Sequence, residues 1–528
     1  MKRKILLLIT LCLFAYAGIS QQSEGYIRNA VPPFDNETGE IDMSKVEFLP
    51  IRLYKPAPDF QPAQNRYGDN NVLSVTDNAD IQVFPSAASQ HEQHMTVSKI
   101  NPNNIILSSN TPNYMGYYVS QDGGATWFGS DNMPDGIGTS GDPTTGFNAD
   151  GHIFLQTIYS SGFKAFKSTD QGNTWPGPVQ YTYSPASFDK EMMAVDNLPG
   201  SPYLNNIYTA WTDFAGTYKV LFTRSTNNGA SYSPNINLHN SWGQGTGVAT
   251  GVNGEVYVCW ANYSTGGYPA DGLGFSRSTN GGVSFTDLTP AFPYVGIRPN
   301  NSPNPLFNNT RVNDFPSIAV DKSCGPYRGR IYTVVGAKQN GTGKAVSYLR
   351  YSSNQGNSWS PAVEVNISSG RQNWFPWVTV DDATGTVSVA YLSLDEATGF
   401  ATNTYLAYSF DGGSTWSNIK VSDVSHIVAA IPGFASGYCG DYIANTAWGN
   451  KNYVAWNDNR TGNWKNYFSR VDFSQLGLFS SNTDLNINGP VNLTLPTATQ
   501  LFYRAVGNIS TPVASSFAAQ SGTSVTML

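Results

Sequence analysis

Ser120-Gln-Asp122-Gly-Gly124-Ala-Thr-Trp127 is the first of six copies of one eight-residue pattern, Ser-x-Asp/Asn-x-Gly-x-x-aromatic. The other copies occupy residues 168–175, 225–232, 278–285, 352–359 and 409–416. Successive copies begin about 50 to 75 residues apart, and self-similarity at such a period indicates an array of repeated supersecondary units. The pattern therefore indicates the architecture of the protein, and by itself it does not indicate the function.

Each copy has the chemistry of a turn between two strands. The Asp or Asn side chain can bond backbone amides two residues further on, and the glycine adopts a positive φ without steric cost. The aromatic residue then begins a strand, where it can pack on its own unit. On this basis Asp122, Asp170 and Asp411 are expected to be turn residues and not catalytic groups.

The six copies resemble the Asp box, or BNR repeat, of sialidases and related β-propellers. In that family the box lies on an outer turn, away from the ligand. A second repeat, an apolar strand followed by a turn and an aromatic strand, occurs seven times across residues 84–473. The sequence thus predicts an all-β fold, a seven-bladed β-propeller, with six blades as the alternative. The seven units are Met95–Ile106, Pro143–Gln156, Met192–Trp211, Val248–Trp260, Pro316–Val334, Pro376–Tyr391 and Ile443–Trp456.

The ends of the chain differ in composition from the repeats. Basic residues 1–4 followed by the apolar run 5–17 predict a signal peptide over residues 1–20, and hence a protein that is secreted or displayed at the cell surface. Residues 21–79 read as an extended N-terminal arm whose last part, around 71–83, is expected to add an outer strand to the last blade. The propeller is expected over 80–473 and a small β-rich C-terminal segment over 474–528. No later apolar run is long enough to span a membrane.

Charge and cysteine content exclude several classes of partner. The formal net charge is −7 with 13% charged residues and no Lys/Arg cluster, so nucleic acid is not expected as a partner. A glycan or polysaccharide is expected instead, bound by a monomeric chain. No Cys/His spacing is typical of zinc, so no metal site and no cofactor are predicted. The many Asp and Asn residues leave room for a structural calcium ion, but no acidic run has a defined ligand spacing.

Ligands of propellers bind over the central axis, at the ends of the innermost strands. The positions just before those strands are expected to be His94, Gly141, Asp189, Thr246, Asp314, Trp374 and Asp441, with Asp142 in place of Gly141 if the register shifts by one. This column is rich in acids. Either the acids form a site or they hydrogen-bond neighbouring loops, and the sequence leaves both interpretations open.

Two neighbouring units share the frame Arg-x-Asn-x-Phe-Pro, at Arg311–Pro316 and at Arg371–Pro376. Equivalent positions on adjacent blades predict that the two guanidinium groups lie close together, an arrangement suited to a carboxylate or a sulfate. The alternative is that each arginine pairs with an acid such as Asp314 or stacks on an aromatic ring.

The sialidase resemblance implies three substrate-binding arginines, a Tyr nucleophile activated by Glu, and an Asp that acts as acid/base. The Arg-Ile-Pro motif that usually carries the first arginine is absent. Arg311 and Arg371 could stand for the other two. Asp142 could be the acid, and Tyr442 with Glu191 the nucleophile pair.

The sequence favours a sialidase-like glycoside hydrolase acting at the axial cup. The candidate catalytic residues are Asp142, Glu191, Asp314, Asp441 and Tyr442, and the candidate substrate-binding residues are His94, Asp189, Arg311, Arg371 and Trp374. One alternative is a non-catalytic propeller that binds glycan or protein at the cell surface. Another is a polysaccharide lyase that uses His91 or His94 with Tyr442.

Overall fold

The computed structural model describes residues 74–474, apart from 113–114, 184–186, 217, 300–302, 342 and 368–369, and three short strand pairs outside that range. These pairs are Tyr26–Ile27 with Phe48–Leu49, Val491–Thr494 with Ser524–Met527, and Leu501–Tyr503 with Phe517–Ala519. The expected signal peptide, most of the arm and most of the C-terminal segment lie outside the described residues.

Residues Ser74–Ser474 form one compact unit built from seven antiparallel sheets, which confirms the predicted all-β, seven-bladed propeller. The first strand of each blade contacts the first strand of the next, and blade 7 contacts blade 1, so the ring closes around an axis. Blade 1 has the strands His91–Val97, Ile105–Asn110, Gly116–Ser120 and Phe128–Ser130, and blade 2 has Gly141–Phe147, Ile153–Tyr159, Gly162–Ser168 and Val179–Thr182. Blade 3 has the strands Phe188–Val195, Ile207–Asp213, Lys219–Ser225 and Ile236–His239. Blade 4 has Gly243–Thr250, Val256–Asn262, Gly272–Ser278, Thr286–Asp287 and Phe292–Pro293.

Blades 5 to 7 follow the same order from the axis outwards. Blade 5 has the strands Ser317–Val320, Ile331–Lys338, Ala345–Ser352 and Val363–Glu364. Blade 6 has Gln372–Val380, Val387–Asp395, Ala401–Ser409, Ser417–Lys420 and His426–Ile427, and blade 7 has Ala444–Ala447, Lys451–Asp458 and Lys465–Ser474. Helical structure in the described part of the chain is limited to three 3-10 turns, Pro305–Phe307, Gln339–Gly341 and Glu396–Thr398. Among these residues no helix has the length and apolar character needed to cross a membrane.

The ring is closed by strands from both ends of the compact unit. Ser74–Asp77 pairs antiparallel with Lys465–Ser474, and Ile81–Gln82 pairs with the same strand. The N-terminal strand is therefore the outer strand of blade 7, as the sequence predicts for residues around 71–83. The first residues of the propeller thus lie at Ser74, within the range that the sequence assigns to the arm.

The six repeated turns are held by their Asp or Asn side chains as predicted, but each side chain accepts from the amide four residues further on and not two. In the first copy the Ser120 hydroxyl donates to Asp122 Oδ1 at 2.8 Å and accepts from the Gly124 amide at 2.8 Å, while Asp122 accepts from the Thr126 amide at 2.9 Å. Gly124 has a φ of 95°, which explains the invariant glycine of the pattern. The aspartates of these turns are thus structural residues on the outside of the blades.

The aromatic residue of each repeat packs differently from the expectation. Trp127 lies 5.2 Å from Phe468 of blade 7, and Trp175 lies 5.3 Å from Tyr117 of blade 1, centroid to centroid. Phe285 of blade 4 likewise contacts Phe222 of blade 3 at 4.6 Å. The ring therefore packs on the preceding blade and not on its own, because the turn lies at the interface between blades. The repeat joins neighbouring blades through apolar burial.

The innermost strands of five blades share one bulge at their axial end. The register shifts between His91 and His94 in blade 1, and equivalent shifts occur in blades 2, 3, 4 and 6. One extra residue on the inner strand adopts a left-handed conformation in each case, and a β-bulge of this kind redirects side chains. The left-handed residues are Glu92, Asp142, Lys190, Gly245 and Phe375, with φ values of 57°, 55°, 45°, 73° and 53°.

The bulge also corrects two members of the predicted axial column. In the observed register His91 and Gln244 are equivalent to Gly141, Asp189 and Trp374, whereas the sequence places His94 and Thr246 there. The inner strands of blades 1 and 4 begin earlier than expected because the bulge extends their pairing. His94 therefore lies three residues after the axial position of its strand, and Thr246 lies two residues after that of its own.

Candidate active site at the propeller axis

A buried lysine fills the centre of the axis. Lys190 is only 2% exposed, and its ammonium lies 5.2 Å from the ring of Phe315, 5.6 Å from that of Trp377 and 5.1 Å from that of Tyr442. The lysine belongs to blade 3 and the three rings belong to blades 5, 6 and 7. Burial lowers the pKa of Lys190, while the carboxylates of Asp142, Asp189 and Asp441 act in the opposite direction.

Beneath this lysine the axial channel is narrow. It contains a cavity of about 40 Å³ lined by residues such as His94, Met192, Thr246 and Trp377. A space of this size holds a few water molecules but no sugar ring. Lys190 and its three aromatic neighbours therefore form the floor of any site on the side of the bulges.

A pair of carboxyl groups lies above the floor. Glu92 and Asp142, the left-handed residues of blades 1 and 2, hydrogen-bond each other through their side chains. Asn110 holds both, because its amide Nδ2 donates to Glu92 Oε2 and its Oδ1 accepts from the Asp142 backbone amide at 3.0 Å. The second oxygen of Asp142, Oδ2, accepts from the Lys190 backbone amide at 2.9 Å.

The electrostatics of this pair favour a shared proton. Burial raises the pKa of Glu92 well above its ordinary value, and the charges of Asp142 and Asp441 raise it further. Burial also raises the pKa of Asp142, opposed by the Lys190 amide and by the hydrogen bond from Glu92. Low dielectric and like charge together therefore favour the protonated form of Glu92 beside Asp142.

Asp441 has the opposite environment. Arg311 Nη2 lies 2.8 Å from its Oδ2, and Asn313 Nδ2 donates to its Oδ1 at 3.1 Å and to its carbonyl oxygen at 2.6 Å. Burial alone would raise the pKa of Asp441, but the charges of Arg311 and Arg298 and these hydrogen bonds hold it below its ordinary value. The pKa values of Asp441 and Glu92 are therefore shifted in opposite directions.

A fourth acid, Asp189, connects the axis to an aromatic stack on blades 3 and 4. Asp189 accepts from Gln244 Nε2 at 3.0 Å, and Gln244 Oε1 accepts from Arg298 Nη1 at 3.2 Å. Burial and the charge of Asp142 raise the pKa of Asp189 to about 7. The Arg298 guanidinium in turn lies 4.1 Å from the ring centre of Tyr268.

From Tyr268 the aromatic stack continues outwards. Trp242 lies 5.1 Å from Tyr268, 5.0 Å from Tyr263 and 4.9 Å from Tyr218, and Tyr218 is 37% exposed. Aromatic rings that are partly exposed offer flat apolar faces with polar edges. The stack ends at Arg298, so it leads from the outer surface of the propeller to the axial acids.

Three of the predicted site residues have structural roles. Asp314 is 0% exposed, and its carboxylate accepts from the backbone amides of Ala270 at 2.8 Å and Arg298 at 2.7 Å. It anchors the loop that carries Arg298 and has no free oxygen for catalysis. Trp374 is also fully buried, with its ring 5.2 Å from Phe307, so it packs within the hydrophobic core. His94 accepts from the Thr145 amide at 3.0 Å within the channel, and burial lowers its pKa to about 3.

The predicted pairs are not joined as the resemblance implies. Arg311 pairs with Asp441, whereas Arg371 Nη2 lies 3.3 Å from Asp395 Oδ2 of its own blade, so each arginine already has a carboxylate partner. Tyr442 and Glu191 are both buried, and the Tyr442 hydroxyl and both Glu191 oxygens have no hydrogen-bond partner among the described residues. A Tyr nucleophile hydrogen-bonded to its Glu base is therefore not formed here.

Four residues of the site are not among those that the sequence predicts: Glu92, Lys190, Arg298 and Asn110. Glu92 lies between His91 and His94, the two histidines that the sequence offers as candidate site residues. Its signal is positional: Glu92 and Asp142 occupy the same place relative to the bulge in adjacent blades. Within the described residues no group of three or more His, Cys, Asp or Glu side chains is placed to hold a metal ion.

Comparison with known proteins gives no family. No protein-family model and no curated protein matches this chain. Among solved structures, a protein of unknown function from Dyadobacter fermentans is 12% identical, covering 76% of this chain and 99% of its own, with a TM-score of 0.43.

Two further solved structures match at similar levels. An α-L-arabinanase from Penicillium chrysogenum, in complex with arabinobiose, is 13% identical over 75% of this chain and 99% of its own, with a TM-score of 0.40. A Hadza microbial sialidase is 12% identical over 72% of this chain and 75% of its own, also with a TM-score of 0.40. Likenesses of this degree assign neither a family nor an activity, which must be argued from the site itself.

Proposed function

We propose that this chain is a carbohydrate-active enzyme, a glycoside hydrolase that acts at the axial carboxyl cluster. The observation that carries the proposal is the contrast between Glu92 and Asp441. Their environments raise the pKa of the first and lower that of the second. Two carboxyl groups held in opposite protonation states are what acid-catalysed cleavage of a glycosidic bond requires.

In this mechanism Glu92 is the general acid. It donates its proton to the leaving oxygen as the bond between that oxygen and the anomeric carbon breaks. A water molecule then forms the new bond to that carbon and gives one of its protons to the Glu92 carboxylate, which restores the acid. Asp441 stabilises the positive charge that develops on the sugar, since Arg311 and Asn313 fix both of its oxygens. Asp142 and Asn110 position Glu92.

The arrangement favours a neutral glycan over a sialoside. The arginines that would clamp a sialic acid carboxylate are already paired with Asp441 and Asp395. The aromatic stack that ends at Arg298 offers apolar ring faces along the approach to the axis. Sugar rings without charge pack on such faces through their C–H groups.

The test is the release of sugar from a panel of neutral glycans, sialosides and uronic-acid polysaccharides, detected by mass spectrometry. Glu92→Gln and Asp441→Asn should each abolish release. Asp150→Asn is the matched control, because Asp150 bonds only Asn148 and Asn205, away from the axial cluster. Release that survives both axial substitutions would refute the proposal.

A non-catalytic glycan-binding propeller is the second candidate. It is favoured by the small exposure of Glu92, whose side chain is 2% exposed, and by the narrow channel below it. Binding of a glycan without any release would establish this function. The polysaccharide lyase alternative has less support, because His94 is bonded to Thr145 and the Tyr442 hydroxyl is buried.

Secretion and a monomeric state belong to the same proposal. The basic residues 1–4 and the apolar run 5–17 support export, which suits an enzyme whose polymeric substrate lies outside the cell. Sequencing the N-terminus of the exported protein would test this, with a start near residue 21 as the expected result. Light scattering of the purified protein would test the monomeric state.

A further inference from the structure

A second cavity of the propeller lies off the axis, in a groove between blades 4 and 5. It has a volume of about 400 Å³, roughly ten times that of the axial channel, and falls in the range of small-molecule sites. Blade 4 contributes Phe292 and the following residues Tyr294 and Val295, and blade 5 contributes its second and third strands. Nothing in the proposed hydrolysis uses this groove.

Its walls are mainly apolar and partly aromatic. Phe292, Val335 and Ala337 are buried behind the surface, while Tyr294 and Tyr348 are half-buried at it. The Tyr294 hydroxyl donates to the Asp314 carbonyl at 3.1 Å, which fixes its ring. These walls suit the faces of one or two sugar rings, or another compact ring compound.

Two cations line the same groove, Arg350 and Lys338. The Arg350 guanidinium lies 4.8 Å from the ring centre of Phe292, and its Nη1 donates to the Ser360 carbonyl at 2.7 Å. Neither cation forms an ion pair with a carboxylate within the part of the chain that the structure describes. A half-buried guanidinium without a carboxylate has lost hydration that an anionic ligand would restore.

One carboxylate also lines the groove, but its oxygens are engaged. Asp271 accepts from the Ser264 hydroxyl at 2.5 Å and from the Ser264 amide at 3.2 Å, and Asn262 donates to it at 3.4 Å. It therefore holds the loop that begins at Tyr263 and does not neutralise Arg350. Two cations against one occupied acid leave the groove with a surplus of positive charge.

We infer that this groove is a binding site for a small carboxylate with a ring-shaped body, such as a uronic sugar. The carboxylate would bind Arg350 while the ring packs against Tyr294 and Tyr348, and Lys338, five residues further along the neighbouring strand from the partner of Arg350, would add positive charge at the other end of the groove. The site is separate from the axial acids, so a ligand could bind whether or not the axial cluster is catalytic. The inference does not depend on the proposed hydrolysis.

The experiment compares D-glucuronate with D-glucose, which differ in the carboxylate, by isothermal titration calorimetry and saturation-transfer NMR on the full chain. Glucuronate should bind at least about tenfold more tightly than glucose, because a charged hydrogen bond contributes on that scale. Arg350→Gln should weaken glucuronate binding by about tenfold or more, and Lys338→Gln by a smaller factor.

Lys167→Gln is the matched control. The Lys167 ammonium lies 5.6 Å from the Phe154 ring in blade 2, a cation over an aromatic ring outside the groove, and its loss should leave binding unchanged. Glu92→Gln should also leave it unchanged, which separates this site from the axis. If Arg350→Gln does not fold, the inference is tested by the affinity of Lys338→Gln for glucuronate and by the comparison of glucuronate with glucose. Equal binding of the two sugars, no glucuronate binding, or an Arg350→Gln variant with wild-type affinity would each overturn the inference.

Discussion

Replacing Glu92 by Gln removes one transferable proton and little else. Burial and the nearby acids raise the pKa of Glu92 well above its ordinary value, which favours the protonated form, and an amide matches that form in charge and in shape. The Gln carbonyl can still accept from Asn110, and its NH₂ group can still donate to Asp142. We therefore expect an unchanged fold and a change confined to proton transfer.

The expected loss follows from the role of a general acid. Positioned proton transfer contributes about 10²–10⁴-fold to the rate, so kcat on a natural glycan should fall by about that factor in Glu92→Gln. An aryl glycoside whose leaving group departs as a stable anion needs no proton. On such a substrate the loss should shrink to less than about tenfold.

The pH profile gives a second readout of the same substitution. Glu92 must be protonated, so activity should fall as pH rises through its raised pKa. Asp441 must be ionised, so activity should fall as pH drops through its lowered pKa. Glu92→Gln should abolish the basic limb and keep the acidic one. Equal losses on natural and activated substrates, or an unchanged basic limb, would refute the assignment of Glu92 as the acid.

Three other predictions concern the supports of the site and of the ring. Gly124→Ala places a Cβ 2.3 Å from the Phe468 ring at a φ of 95°, and this clash should lower the free energy of unfolding by about 2 to 5 kcal/mol. Gly177→Ala has open space around it and should leave that free energy unchanged in the same denaturation experiment. Asn110→Ala should lower kcat by about tenfold or more with little change in KM, because both carboxyls of the pair lose their common support; a loss confined to KM would contradict this. Asp77, on the closing strand, has its pKa raised by burial from 3.8 to about 7, so the folded state binds the proton more tightly and stability should decline as pH rises between these values. Asp77→Asn should flatten that decline in melting curves, and a parallel pH dependence in both proteins would show that Asp77 is not its source.

Sequence alone determined the architecture, because local chemistry repeats. A serine, an Asp or Asn, a glycine with positive φ and an aromatic residue are enough to define each outer turn, and Gly124 adopts the predicted conformation. The closing strand at Ser74–Asp77 also followed from the order of the blades. These features depend on residues close together in the chain or on the topology of a ring.

The site was decided by tertiary structure. In blade 1 the observed pairing places His91 in the axial column, three residues before the expected His94, and the bulge residue Glu92 hydrogen-bonds Asp142. Whether Asp314 is a catalyst or a loop anchor depends on amides from Ala270 and Arg298, which no local pattern reveals. The protonation states of Glu92 and Asp441 likewise arise from burial and from charges on other blades. Such properties depend on groups brought together across the ring, and the sequence can name those groups without saying which of them will meet.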